Sequence, residues 1–104
     1  MTSVEDVLVS RPLITQDNIR AQVKNGILYI STDSVAPPSV GSWALITTLP
    51  VGYRPNANAY FIAIAPANNN AICAAFINTG GEVSIKSSNS YNYVFSGALP
   101  VKED

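Results

Sequence analysis

The chain has 104 residues, of which 47% are hydrophobic and 12% charged, and its formal net charge is −1. That length fits one domain burying about 65% of its unfolded surface, and the hydrophobic content excludes long disorder. The near-zero charge argues against a nucleic-acid binder built on a basic surface, and the absence of histidine removes the commonest general base and metal ligand together with every Ser–His or Cys–His pair.

Residues 1–17 read as a leading segment ahead of a β-domain over 18–104. Its start, Met1-Thr2-Ser3-Val4-Glu5-Asp6, lacks the basic end and apolar core of a signal peptide. Arg11-Pro12 is expected to interrupt regular structure, because proline has no N–H for a ladder; the segment has room for one short strand. From Asn18 the pattern turns to strands. Ile19, Ala21 and Val23 alternate with Arg20, Gln22 and Lys24, as in a half-buried strand. Asn25-Gly26 then gives a strong hairpin signal, and Ile27-Leu28-Tyr29-Ile30 returns. Val35 to Gly41 is a loop by its prolines and glycine. Further strands are predicted at 43–49, 59–65 and 71–77, around Val83 and Ile85, and over Tyr91, Tyr93 and Phe95. Residues 97–101 have room for a short terminal piece. Asn68-Asn69-Asn70 reads as a hairpin tip with left-handed residues. Short strands at this spacing, with turn chemistry between them, predict an all-β, antiparallel barrel or sandwich of about seven strands.

Two strands carry apolar residues on both faces. Tyr60, Ile62 and Ile64 back onto Phe61, Ala63 and Ala65; Ile72, Ala74 and Phe76 back onto Ala71, Cys73, Ala75 and Ile77. A small sandwich normally wets one face of each strand. Either the chain's own loops cover the second face, or another copy does. The second reading is preferred, with Ala63, Ala65, Ala71 and Ala75 as the small residues that would allow copies to approach closely. Cys73, the single cysteine, reads as an inert buried thiol. Charge is sparse where these strands lie: between Ser34 and Pro100 only Arg54, Glu82 and Lys86 are charged. An Asn- and Ser-rich surface of that kind suits neutral, hydroxyl-rich ligands, or packing against copies of itself.

The segment Trp43-Ala44-Leu45-Ile46-Thr47-Thr48-Leu49-Pro50-Val51-Gly52-Tyr53-Arg54-Pro55 resembles one common in tail and receptor-binding proteins of phages that infect Gram-positive bacteria. Gly81-Glu82-Val83-Ser84-Ile85 and Tyr91-Asn92-Tyr93-Val94-Phe95 match the strands that follow it there. The resemblance spans Gly26 to Val101 and is to the C-terminal head domain of lactococcal siphophage receptor-binding proteins. It implies a β-barrel head assembled as a homotrimer at the virion's tail tip, joined to other baseplate proteins through upstream regions. Such a head binds a cell-wall saccharide of the host and needs no cofactor. Residues 1–16 would then be the remnant of a neck junction. Related heads surround the glycan with tryptophan, histidine, aspartate and arginine. Here histidine is absent, Trp43 opens a strand, Ala74-Ala75-Phe76 offers no carboxylate, and Ile85-Lys86 stands where an aromatic is expected.

Sugar recognition needs an aromatic face and directed polar groups. The candidate saccharide ligands are Glu82, Lys86, Asn89, Tyr91 and Tyr93, with Asn92 in the same stretch and Arg54 from the Tyr-Arg-Pro turn. Arg54 and Trp43 also have structural readings, as a loop brace and as a core or interface residue. Hydrolysis would need two carboxylates across the glycosidic bond, and only the distant pair Asp33 and Glu82 is on offer, so the chain is read as a binding protein rather than an enzyme. The alternative function is a structural trimerisation cap on a tail fibre.

Overall fold

The computed structural model describes residues 9–102. Its elements are eight β-strands: β1 (Arg11–Gln16), β2 (Ile19–Lys24), β3 (Ile27–Thr32), β4 (Trp43–Thr48), β5 (Ala59–Ala65), β6 (Ala71–Ile77), β7 (Glu82–Lys86) and β8 (Ser96–Pro100). They form two four-stranded antiparallel sheets, ordered β1-β2-β3-β8 and β4-β7-β6-β5. The all-β reading is thereby met. Residues 1–8, on which the signal-peptide reading and the first half of the neck-junction reading (1–16) fall, lie outside the described residues.

Turn chemistry sets the register. Asn25 and Gly26 both take positive φ, 51° and 80°, which is what a two-residue hairpin needs to match the twist of its strands. Asp17 and Asn18 do the same at 49° and 67°, so a second tight hairpin joins Gln16 to Ile19. That turn makes β1 a full strand and corrects the expectation that Arg11-Pro12 breaks regular structure. Proline is tolerated because β1 lies at the sheet edge and its register shifts between Arg11 and Ile14. Between β5 and β6, Pro66–Asn68 make one 3-10 turn, and Asn69 and Asn70 follow in left-handed conformation, as their side chains permit.

The aromatic segment before β8 is a second correction. Tyr93 and Phe95 are buried, as their alternation implies, but the segment makes only isolated bridges, Val35 to Tyr93 and Ile64 to Val94. The continuous strand starts at Ser96 and pairs with β3 along its length. Alternation reports burial, not a ladder partner, and here the chain is crossing from one sheet to the other. The crossing is pinned by Phe95 N, which donates to the Thr32 hydroxyl at 3.0 Å. On the opposite side, the Gln16 side-chain amide of β1 donates to Thr47 Oγ1 and the Thr48 carbonyl of β4, both at 2.9 Å. Between the sheets lies one core, including Leu28, Ile30, Ala63, Ala75, Ile77, Val83, Ile85, Tyr93 and Phe95.

Candidate functional site

The expected ligand residues divide between the two ends of β7. At its start, Glu82 is held by a turn brace. Asn78 Nδ2 donates to its carboxylate at 2.8 Å, while Asn78 Oδ1 accepts from the backbone N–H groups of Gly80 and Glu82 at 3.0 Å each. Arg54 lies at this same end, where its Nε donates to the Leu49 carbonyl at 3.0 Å and its side chain packs beside Gly81. Arg54 is therefore positioned as a loop brace. Asn78, the organiser of this corner, has no motif that would have singled it out.

At the far end of β7 stand Lys86, Asn89, Tyr91 and Tyr93. Lys86 is exposed, in register with Trp43 of β4 and Ala74 of β6. Asn89 is exposed and its backbone N–H donates to Ser87 Oγ at 3.0 Å. Tyr91 is half-buried, its ring centroid 6.4 Å from that of Tyr93. Tyr93 is only 1% exposed, and its hydroxyl shares a hydrogen bond of 2.6 Å with buried Ser87. It is a core residue with its polar tip satisfied, and in the single chain it offers no face to a sugar. Lys86, Asn89 and Tyr91 thus lie at or beyond one end of β7, while Glu82 and Arg54 stand at the other.

Cys73 lies on the rim of the core, half-buried. Burial pushes its pKa up, with the Ser87 side chain opposing, which is the setting of an unreactive thiol.

The outer face of the second sheet is largely apolar and bare among the described residues, crossed by the β7 row of Glu82, Ser84 and Lys86. Trp43 and Leu45 of β4, Tyr60, Ile62 and Ile64 of β5, and Ile72 and Phe76 of β6 share it. Tyr60, Ile62 and Ile72 are 71%, 70% and 67% exposed. The rings of Trp43, Tyr60 and Phe76 form one cluster, with centroids 4.7 to 6.2 Å apart. Among the described residues no loop covers this face. The alanines expected there are not on it: Ala63, Ala65 and Ala75 are fully buried between the sheets and Ala71 packs partly buried against the same core, so the expectation that they line a close approach of copies is overturned. The inner layer takes small residues beside the buried rings of Tyr93 and Phe95, which the crossing segment brings into the same core. The face left to a partner is the one with large side chains.

A second, different surface lies on the outside of the first sheet. Register aligns Thr15, Arg20, Ser31 and Ser96 across its four strands, with Gln22, Tyr29 and Ala98 in the adjacent row. The small side chains of β8 leave an open depression of about 440 Å³ beside the half-exposed Tyr29 ring. Arg20 Nε donates to Ser31 Oγ at 3.1 Å, and its Nη1 is paired with Asp33. Sequence reasoning passed over Tyr29, because a residue in a hairpin strand reads as scaffold; its outward position is nonetheless legible from the alternation with Leu28 and Ile30.

The distant acidic pair, Asp33 just past the end of β3 and Glu82 at the start of β7, have separate partners, Arg20 and Asn78. Among the described residues no helix is long and apolar enough to cross a membrane. No protein-family model matches the chain, and no curated protein is recognisably similar to it.

Proposed function

We propose that this chain is a self-assembling head domain of a phage tail-tip adhesin, which works as a homotrimer and adsorbs to a cell-wall saccharide of a Gram-positive host. The observation that carries the reading is the bare apolar face of β4, β5 and β6. Tyr60, Ile62, Ile72 and their neighbours make a contiguous exposed patch on a domain whose own core is already complete. Patches of this kind mark association sites, and the aromatic residues within it are those enriched at interface centres. The charge-poor sequence from 34 to 100 supports a neutral, hydroxyl-rich ligand. The resemblance of the Leu49-Pro50-Val51-Gly52-Tyr53-Arg54-Pro55 turn and the strands after it supports the phage context.

Separate engagement of Asp33 and Glu82 supports a binding role rather than hydrolysis, which needs two carboxylates facing one bond. Binding by each head can be weak, because three linked copies raise the effective affinity through multivalency. The test has two parts. Light scattering at tens of micromolar should give a trimer mass, and the trimer should co-sediment with purified walls of the host. A monomer mass removes the adhesin reading. A trimer that ignores every wall preparation and glycan offered leaves the structural cap as the function.

A further inference from the structure

We infer that the saccharide is held on the outer face of the first sheet, in the depression beside Tyr29, and that its ligand is an uncharged pyranose. This rests on the reading of the chain as a saccharide-binding head, and it moves the site away from the stretch 82–93.

The argument begins with register. β2 and β3 are joined by a tight hairpin whose pairing is unbroken from Lys24–Ile27 to Ile19–Thr32, so the side chains between them sit on a rigid frame. Tyr29 points outward from that frame at 47% exposure, between Gln22 on one side and Ala98 on the other. With no bulky neighbour on β8, one side of the ring faces the depression. An aromatic surface of this kind accepts the C–H face of a pyranose. Around it stand directed polar groups: the Gln22 amide and the hydroxyls of Ser31 and Ser96. Gln22 supplies both a donor and an acceptor, and each hydroxyl can do either, which matches a ligand whose own hydroxyls do both.

Arg20 decides the charge of the ligand. Its Nε is committed to Ser31 and its Nη1 to Asp33, which fixes the guanidinium plane and leaves Nη2 as a donor for a ligand oxygen. Asp33 also neutralises its charge. The remaining lining residues, Leu13 among them, are uncharged, so nothing in the depression balances a phosphate or a carboxylate. A site for an anionic sugar would keep a free cation. The volume, about 440 Å³, falls in the range of small-molecule sites, roughly 300–1,000 Å³, while the openness of the depression keeps single-site affinity low and makes binding depend on assembly.

The experiment is co-sedimentation of the assembled protein with purified Gram-positive cell walls, before and after hydrofluoric acid removes their phosphate. Wild type should bind both preparations. Tyr29→Ala should weaken binding about tenfold, the loss of one aromatic contact, and Tyr29→Phe should keep it. Gln22→Ala, a change at the solvent face that leaves the ring intact, should weaken it severalfold. Lys86→Ala and Tyr91→Ala should bind as wild type. Equal binding by wild type, Tyr29→Ala and Gln22→Ala would overturn this site while leaving the saccharide reading standing, and loss in Lys86→Ala or Tyr91→Ala would return the site to β7. Binding abolished by dephosphorylation would overturn the uncharged ligand. Failure of wild type to bind either preparation would instead remove the saccharide reading itself.

Discussion

Leu49 and Gly81 meet backbone to backbone. The Leu49 N–H donates to the Gly81 carbonyl at 2.9 Å, and the Leu49 carbonyl lies 2.7 Å from where a side chain on Gly81 would begin. Gly81 also holds φ at +81°, a region L-residues adopt at a cost. The contact anchors the turn motif after β4 to the turn before β7. The Arg54 guanidinium closes the corner by donating to the same Leu49 carbonyl.

Gly81→Ala should therefore destabilise the domain by about 2–4 kcal/mol, combining backbone strain with a clash against main chain. Gly41 is the control, at φ +88° with no atom within 4 Å of an added Cβ. Gly41→Ala should cost about 1 kcal/mol, the conformational part alone. Urea unfolding of both variants reads the difference, and equal losses would remove the steric argument.

Tyr93→Phe deletes the hydroxyl that pairs with Ser87 inside the core. Ser87 keeps its hydrogen bond from the Asn89 N–H, so the loss should stay near 1 kcal/mol. For a domain of this length that is a fall of about 4–8 °C in Tm. An unchanged Tm would mean that the pair adds nothing to stability.

Ile62→Lys places a charge among the exposed apolar side chains of the outer face, on edge strand β5. Ile62 is 70% exposed in the single chain, so the fold should survive with a circular dichroism spectrum like wild type. Association should be lost, read as a monomer mass by light scattering. A variant that keeps the mass of wild type would show that copies do not meet on this face.

Cys73 should alkylate more slowly with iodoacetamide at pH 7.5 than a free cysteine, because desolvation raises its pKa and thins the thiolate. The linkage has a definite sign. A thiol harder to ionise in the folded state leaves stability intact below its unfolded pKa and withdraws it as pH climbs through and beyond about 9. Cys73→Ala should reduce the alkaline fall in Tm. Reaction at the rate of a free cysteine would contradict the burial.

Much of this protein is written in local sequence. Alternation placed Ile19, Ala21 and Val23 inward and Arg20, Gln22 and Lys24 outward, because side chains on a strand have period two whatever the strand pairs with. Asn25-Gly26 fixed a hairpin, because few dipeptides tolerate two positive φ values. Asp17-Asn18 carried the same chemistry and made a strand of residues otherwise read as a lead-in. The two apolar faces of 59–65 and 71–77 were legible too. Which of those faces turns inward was not: the alanines and the large side chains are both apolar, and only the packing of the first sheet and of the crossing segment with Tyr93 and Phe95 against one side consigned the alanines to the core and left Tyr60, Ile62 and Ile72 in the open. The same holds for the polar residues. Spacing along the chain grouped Glu82 with Lys86, yet a strand carries its two ends apart. Pairing between strands grouped Tyr29 with Ser96, which lie far apart in sequence and come together only because β8 returns to lie beside β3.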